Sequence, residues 1–284
     1  MPPALDSSSY GQQASGEAGA TIRGSLIVVT MPKSETSKTD RDLQDDIIRY
    51  LADAGTRNKN SSGLPLSPEQ AKRAEKFSRF LARRYYRDRL ARSFRYSRLF
   101  APAIGRTAEQ VVDGESFQDF LNECVMGSLE AAQRVGQMVV SHLSDVQEPG
   151  AWWGDLLAYE QAFFLQAATA EAEPVSDIPR RLRSAACLAL RWNLPKLLSQ
   201  LKSARNIGKE LKKDVLLLFS RTAGGKIYVV EIEEQTERVW RQTDGWRNMD
   251  QIASAVSLPL TSVQETLEAL RQIGAVVLPP QRAG

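Results

Sequence analysis

The sequence predicts a mostly α-helical protein: a helical-bundle domain followed by a small α+β module of winged-helix-like order with a β-hairpin. Three observations predict it. Apolar residues recur at three- and four-residue spacing through most of residues 68–173. Two β-rich runs, 214–220 (DVLLLFS) and 226–232 (KIYVVEI), flank the Gly-containing loop RTAGG, as in a hairpin. Three short amphipathic helical patterns then follow, at about 234–243, 248–256 and 260–273.

The 284 residues are enough for two modest domains. Residues 1–60 are expected to be disordered or loosely ordered, because the first 40 are rich in Ser, Gly, Ala, Thr and Pro. Met31 offers an alternative start. Within that segment DRDLQDDIIRYLADA reads as a short amphipathic helix with Leu43, Ile47, Tyr50 and Leu51 on one side. Residues 61–175 form the expected helical domain. Its first helix starts at Ser67-Pro68, a cap followed by a proline at the first helical position. Phe77, Leu81 and Tyr85, with Phe80 beside them, mark a candidate core stripe there. Phe117, Phe120, Leu121 and Cys124 mark the next. Val135, Met138, Val139 and His142 mark a third helix, and the aromatic-rich 152–170 a fourth. Residues 176–213 read as connecting helices broken at Pro195, and 214–284 as the α+β module. Asp244-Gly245 ends its first helix in a turn that glycine permits.

The net charge of +3 is small, but its distribution is uneven. Residues 72–106 carry about a dozen Lys and Arg against Glu75 and Asp88, while 231–237 is acidic. Three readings of the basic helix stand: a solvated surface, an interface with an acidic partner, and a nucleic-acid contact. The last helix opposes the third. It carries Glu265 and Glu268 against a single Arg271, and a helix entering a DNA groove must approach a polyanion.

Several chemistries find no residues to carry them. The chain has one histidine, His142, near a helix end where a structural role is expected, whereas a Ser-His-Asp triad needs a placed imidazole and most transition-metal sites need several. Gly224-Gly225-Lys226 lacks the spacing and the Ser/Thr of a phosphate-binding loop. Cys124 and Cys187 stand alone and read as buried thiols. The apolar run 26–29 is far too short to span a bilayer, so a cytoplasmic protein without membrane contact is expected. No catalytic and no metal-ligating residue is assigned.

Two stretches resemble known families. VVEIEEQTERVWRQTDGWRNMDQIASAVSLPLTSVQETLEALRQIGAVV resembles the helical half of the PqqD-like recognition element, which binds precursors of ribosomally made, modified peptides. The matching features are Thr236, Val239 and Trp240, the Asp244-Gly245 turn, Met249, Ile252 and Ala253, and a final helix ending Leu-x-x-x-Gly. YYRDRLARSFRYSRLFAPAIGR, then FQDFL, LLAYEQAFF, LLFSR and GKIYVVEI, resembles the HvfC/BufC-like and TglI-like partner proteins of multinuclear non-heme iron oxidases. Together the resemblances cover residues 75–278. They imply a non-catalytic partner that binds a precursor peptide and presents its cysteine to a TIM-barrel iron oxidase. No cofactor is then expected in this chain, and iron belongs to the partner enzyme. A winged-helix nucleic-acid-binding regulator is the alternative.

The resemblance implies peptide capture by strand addition, in which an extended peptide pairs with an exposed strand edge. The run 226–232 supplies a proline-free edge, with Lys226, Tyr228, Val229, Val230 and Ile232 as candidate contacts. On the last helix Leu267, Leu270 and Arg271 are expected to line the adjoining groove, unless the leucines simply close the small core. The candidate enzyme-facing surface is Trp152, Trp153, Tyr159, Arg84 and Arg87. Adjacent tryptophans on a helix point about 100° apart, so one is expected in the core and the other on that surface.

Overall fold

A computed structural model describes residues 40–58, 67–169, 176–202 and 211–279. The protein is mostly helical, with a small antiparallel β region after the helical part. The expected loosely ordered residues 1–39 lie outside the described residues. The end of that expected loose segment is packed. Helices α1 (Asp40–Ala52) and α2 (Ala54–Asn58) bury Tyr50 and Ala54. The main chain there bonds across to the bundle, Ala54 N–H to the Cys124 carbonyl at 3.1 Å and Met126 N–H to the Ala52 carbonyl at 2.9 Å.

Helix α3 (Pro68–Ser93) starts at a reciprocal cap: Ser67 Oγ accepts from Gln70 N, and Gln70 Oε1 accepts from Ser67 N. Its buried stripe is Ser78, Ala82, Tyr86, Leu90 and Ser93. This corrects the expected stripe by one position, since Phe77 and Phe80 are 52% and 54% exposed. The cause is close approach. Small residues at 78 and 82 admit α1, and the Ser78 hydroxyl donates to the Leu51 carbonyl. Tyr86, fully buried, then meets Phe117 and Phe120 edge-on at ring separations of 6.0 and 6.1 Å. Short 3₁₀ turns and the helices α4 (Ala101–Ile104) and α5 (Glu115–Phe120) lead to the antiparallel pair α6 (Leu129–Ser144) and α7 (Trp153–Ala168). Gly136 lets these two cross closely: a Cβ there would sit 3.2 Å from the Gln161 side chain.

The next segment departs from expectation. Where connecting helices are expected, residues 180–190 form β1 (Arg180–Arg181) and β2 (Ala186–Leu190), and α8 (Leu194–Lys202) is the helix among the described residues of this segment. Strand β2 pairs with β3 (Val215–Arg221), which pairs with β4 (Ile227–Ile232), all antiparallel. ACLAL shows no polar alternation because both faces meet apolar neighbours along most of the strand: Ala186 and Leu188 pack on the bundle and Cys187 on the C-terminal helices, with only Ala189 exposed.

Strand β3 is therefore a wall shared by two cores. Val215, Leu217 and Phe219 pack with α7 and the bundle, and Leu218 faces the C-terminal core. That second core is closed by α9 (Glu234–Gln242), α10 (Met249–Val256) and α11 (Leu260–Gln272). After α11 the chain turns at Gly274 (φ +73°), where a Cβ would lie 2.5 Å from the Arg221 carbonyl oxygen. It then pairs as β5 (Val276–Val277) with β1. Among the described residues no helix is long and apolar enough to cross a membrane.

Candidate functional site: the free edge of β4

The strand order β2-β3-β4 leaves β4 at an edge. The hairpin fixes which of its backbone groups face outward. Thr222 N–H donates to the Lys226 carbonyl at 3.0 Å, and Gly225, at φ +83°, closes the turn onto the Thr222 carbonyl at 2.8 Å. Antiparallel ladders alternate bonded and non-bonded pairs. Tyr228, Val230 and Ile232 therefore bond to Ser220, Leu218 and Leu216, their register partners. Ile227, Val229 and Glu231 turn their N–H and C=O groups away from β3. Among the described residues no main-chain group meets that row.

The side chains beside this edge are apolar and half-buried, from Ile227 through Val230 and again at Ile232. Val229 leans on the bundle core, and Ile232 on the C-terminal core. Exposed Lys226 holds its ammonium 4.5 Å over the Tyr228 ring. At the C-terminal end of the strand a cavity of about 420 Å³ opens, with Arg191, Asp214, Glu231 and Glu234 in its wall.

The expected groove wall on α11 is corrected. Leu267 and Leu270 are 0% and 2% exposed and belong to the core. Val263, Leu267 and Leu270 form one helical stripe, and it faces α9 and α10. Arg271 is exposed and gives two hydrogen bonds to Glu268, so its charge is matched on its own helix.

The expected enzyme-facing surface is corrected as well. Trp152 and Trp153 are both buried, at 6% and 0% exposure. Trp152 precedes the first turn of α7, so helical spacing does not separate the two rings. They enclose Phe100, at 5.2 and 5.7 Å, and Trp153 Nε1 donates to the Leu143 carbonyl at 3.2 Å. Tyr159 is half-buried and meets Phe219 edge-on at 5.3 Å, which ties α7 to the sheet. Its phenol pKa is raised, chiefly by burial. Arg84 and Arg87 are exposed, and Arg87 pairs with Asp113 at 2.6 Å.

Much of the basic face of α3 is engaged in the fold. Arg79 pairs with Glu75, and Arg89 stacks 3.4 Å over Tyr85 while donating to the Ala167 carbonyl. The buried titratable groups are structural. Glu160 is fully buried and accepts from Tyr96 N–H at 2.6 Å and Ser97 N–H at 3.2 Å. Burial pushes its pKa up to about 7 against the pull of those hydrogen bonds. Sequence reasoning placed Glu160 within a family segment and missed this role, because nothing local marks the turn 64 residues earlier that it caps. Burial pushes the Cys187 thiol up to about 11, away from the thiolate chemistry of a reactive cysteine. His142 is lowered, by burial first and then by Arg106. Among the described residues no group of three His, Cys, Asp or Glu side chains is placed to hold a metal ion.

No family model matches this chain, and no curated protein is detectably similar to it.

Proposed function

We propose that this chain is a peptide-binding partner protein: it captures an extended precursor peptide by strand addition to β4 and presents it to a separate modifying enzyme. The observation that carries this reading is the outward row of backbone groups at Ile227, Val229 and Glu231, which no main-chain group among the described residues meets and which half-buried apolar side chains flank. A proline-free edge of this kind gives affinity through main-chain bonds and selectivity through alternate side chains. Val230 and Tyr228 contact the peptide on the C-terminal side of the sheet, and Val229 on the bundle side.

The resemblance noted above supplies the enzyme class, a TIM-barrel iron oxidase acting at a peptide cysteine. It also supplies the division of labour, with iron held by the partner and none by this chain. Such a pair works in the cytoplasm. A regulator that reads DNA with α11 is the less favoured reading, because Glu265 is exposed there and the one arginine is matched by Glu268.

Co-expression with the products of neighbouring genes tests the proposal. The expected outcome is a complex of this chain with a barrel oxidase and a short peptide, and a mass change at a peptide cysteine. Purification of the chain free of both, with an unmodified peptide, counts against it.

A further inference from the structure

We propose a second binding site, on the side of the sheet away from β4, that takes an acidic peptide segment through Arg180, Arg181 and Trp246. It does not rest on the β4 reading. Residues 179–182 run between the end of α9 and β5 and are pinned by the main chain. Arg181 N–H donates to the Thr243 carbonyl at 2.9 Å, Gly245 N–H to the Pro179 carbonyl at 3.1 Å, and Leu182 N–H to the Ala275 carbonyl at 3.1 Å. The arginines of this segment thus rise from a fixed backbone and not from a floppy loop. Arg180, Arg181 and Arg183 line a cavity of about 340 Å³ with Trp240, Thr243 and Asp244.

Three features make this a receptor for carboxylates. First, Arg180 and Arg181 form no ion pair among the described residues. Second, Asp244, in the cavity wall, is already engaged. Asp244 accepts from the N–H groups of Trp246 and Arg247 and pairs with the Arg247 guanidinium. Those bonds, the Trp246 amide first, hold its carboxyl below the usual carboxylate range. Third, Arg181 lies 5.0 Å over the Trp240 ring, so its planar fork is held in one orientation. The Trp240 side chain is buried, and its indole N–H finds no acceptor among the described residues.

Trp246 gives the site its apolar part. It is 85% exposed, two residues along the same turn from Asp244. Gly245 between them, at φ +88°, packs on the Arg180 stem: a Cβ would lie 3.2 Å from it. An exposed tryptophan beside preorganised arginines is the composition of a binding hot spot. A nucleic acid needs a longer basic track to match successive phosphates. Along the chain the basic stretch is short: exposed Asp177 precedes it, and exposed Asp250 follows Trp246. That favours a short acidic stretch with an apolar neighbour.

Calorimetry on the full chain tests this, with a short blocked peptide alternating Glu and Leu as the probe. Its Gln–Leu counterpart, inorganic phosphate and a single-stranded oligonucleotide are the controls. The acidic peptide is expected to bind and the Gln peptide to bind at least about tenfold more weakly. Arg180→Gln and Arg181→Gln should each weaken binding about tenfold, and Trp246→Ala several-fold. Arg181→Lys keeps the charge and loses the fork, so it should fall between wild type and Arg181→Gln. Arg180→Gln leaves the Trp240 stack intact and guards against misreading an unfolded Arg181 variant. Equal binding of the Gln peptide, or no effect of the arginine changes, overturns the proposal. So does phosphate competing as well as the peptide, or the oligonucleotide binding more tightly through the same arginines.

Discussion

Glu160 shows what a single buried side chain contributes. Its carboxyl holds two amides at the turn after α3, and burial raises its pKa to about 7 from the usual 4.5. The folded protein keeps this proton over a range where the unfolded chain has released it. The resulting stability is complete below pH 4.5 and is lost as pH rises through about 7. Its size is on the order of 1–3 kcal/mol. Comparing wild type with Glu160→Gln in urea at several pH values checks this. The difference between them is expected to change across that window, and a constant difference contradicts it. The tryptophans give a second residue-scale expectation. Both are core, so Trp152→Ala and Trp153→Ala should each destabilise, Trp153→Ala by about 3–5 kcal/mol in urea unfolding. Unchanged stability of either variant would return that ring to the surface.

At the scale of elements, β4 divides into two sets of amides. Val229→Pro removes an outward donor, so the hairpin should persist while peptide affinity drops. Val230→Pro removes a ladder bond to Leu218 and should unfold the sheet. Circular dichroism and peptide titration of both variants separate the cases, and equal behaviour contradicts the assigned phase of the ladder. Gly274→Ala should cost about 1–3 kcal/mol, since the position has φ +73° and the new methyl meets the Arg221 carbonyl. A thermal melt equal to wild type contradicts that. These elements were legible in the sequence to different depths. The hairpin, the three C-terminal helices and α6 stand where periodicity and turn residues put them. Strand β2 was hidden because a strand covered on both faces has no period. The buried stripe of α3 was misread because Ser78 and Ala82 carry no apolar signal, while exposed Phe77 and Phe80 do. The β4 edge could be proposed from sequence, but which amides it leaves free depends on the hairpin phase.

At the scale of the molecule, the three-stranded sheet joins the helical domain and the α+β module, which the sequence pattern separates. Strand β3 puts Val215, Leu217 and Phe219 into the bundle core and Leu218 into the C-terminal core. Residues 176–284 alone would expose the first three, with Leu190 beside them. That fragment is expected to aggregate, and the full chain to melt in one transition by calorimetry. A stable, monodisperse fragment contradicts the shared wall. The central claim concerns the edge of that same sheet, and hydrogen exchange resolved to single amides tests it most directly. Spectra are compared with and without the short peptide that the co-expression experiment is expected to recover. In the free protein Tyr228, Val230 and Ile232 should already be protected, and Ile227, Val229 and Glu231 should exchange fast. Peptide binding is expected to slow Ile227, Val229 and Glu231 and leave the others unchanged. Bound peptide with no slowing at those three amides contradicts strand addition at β4.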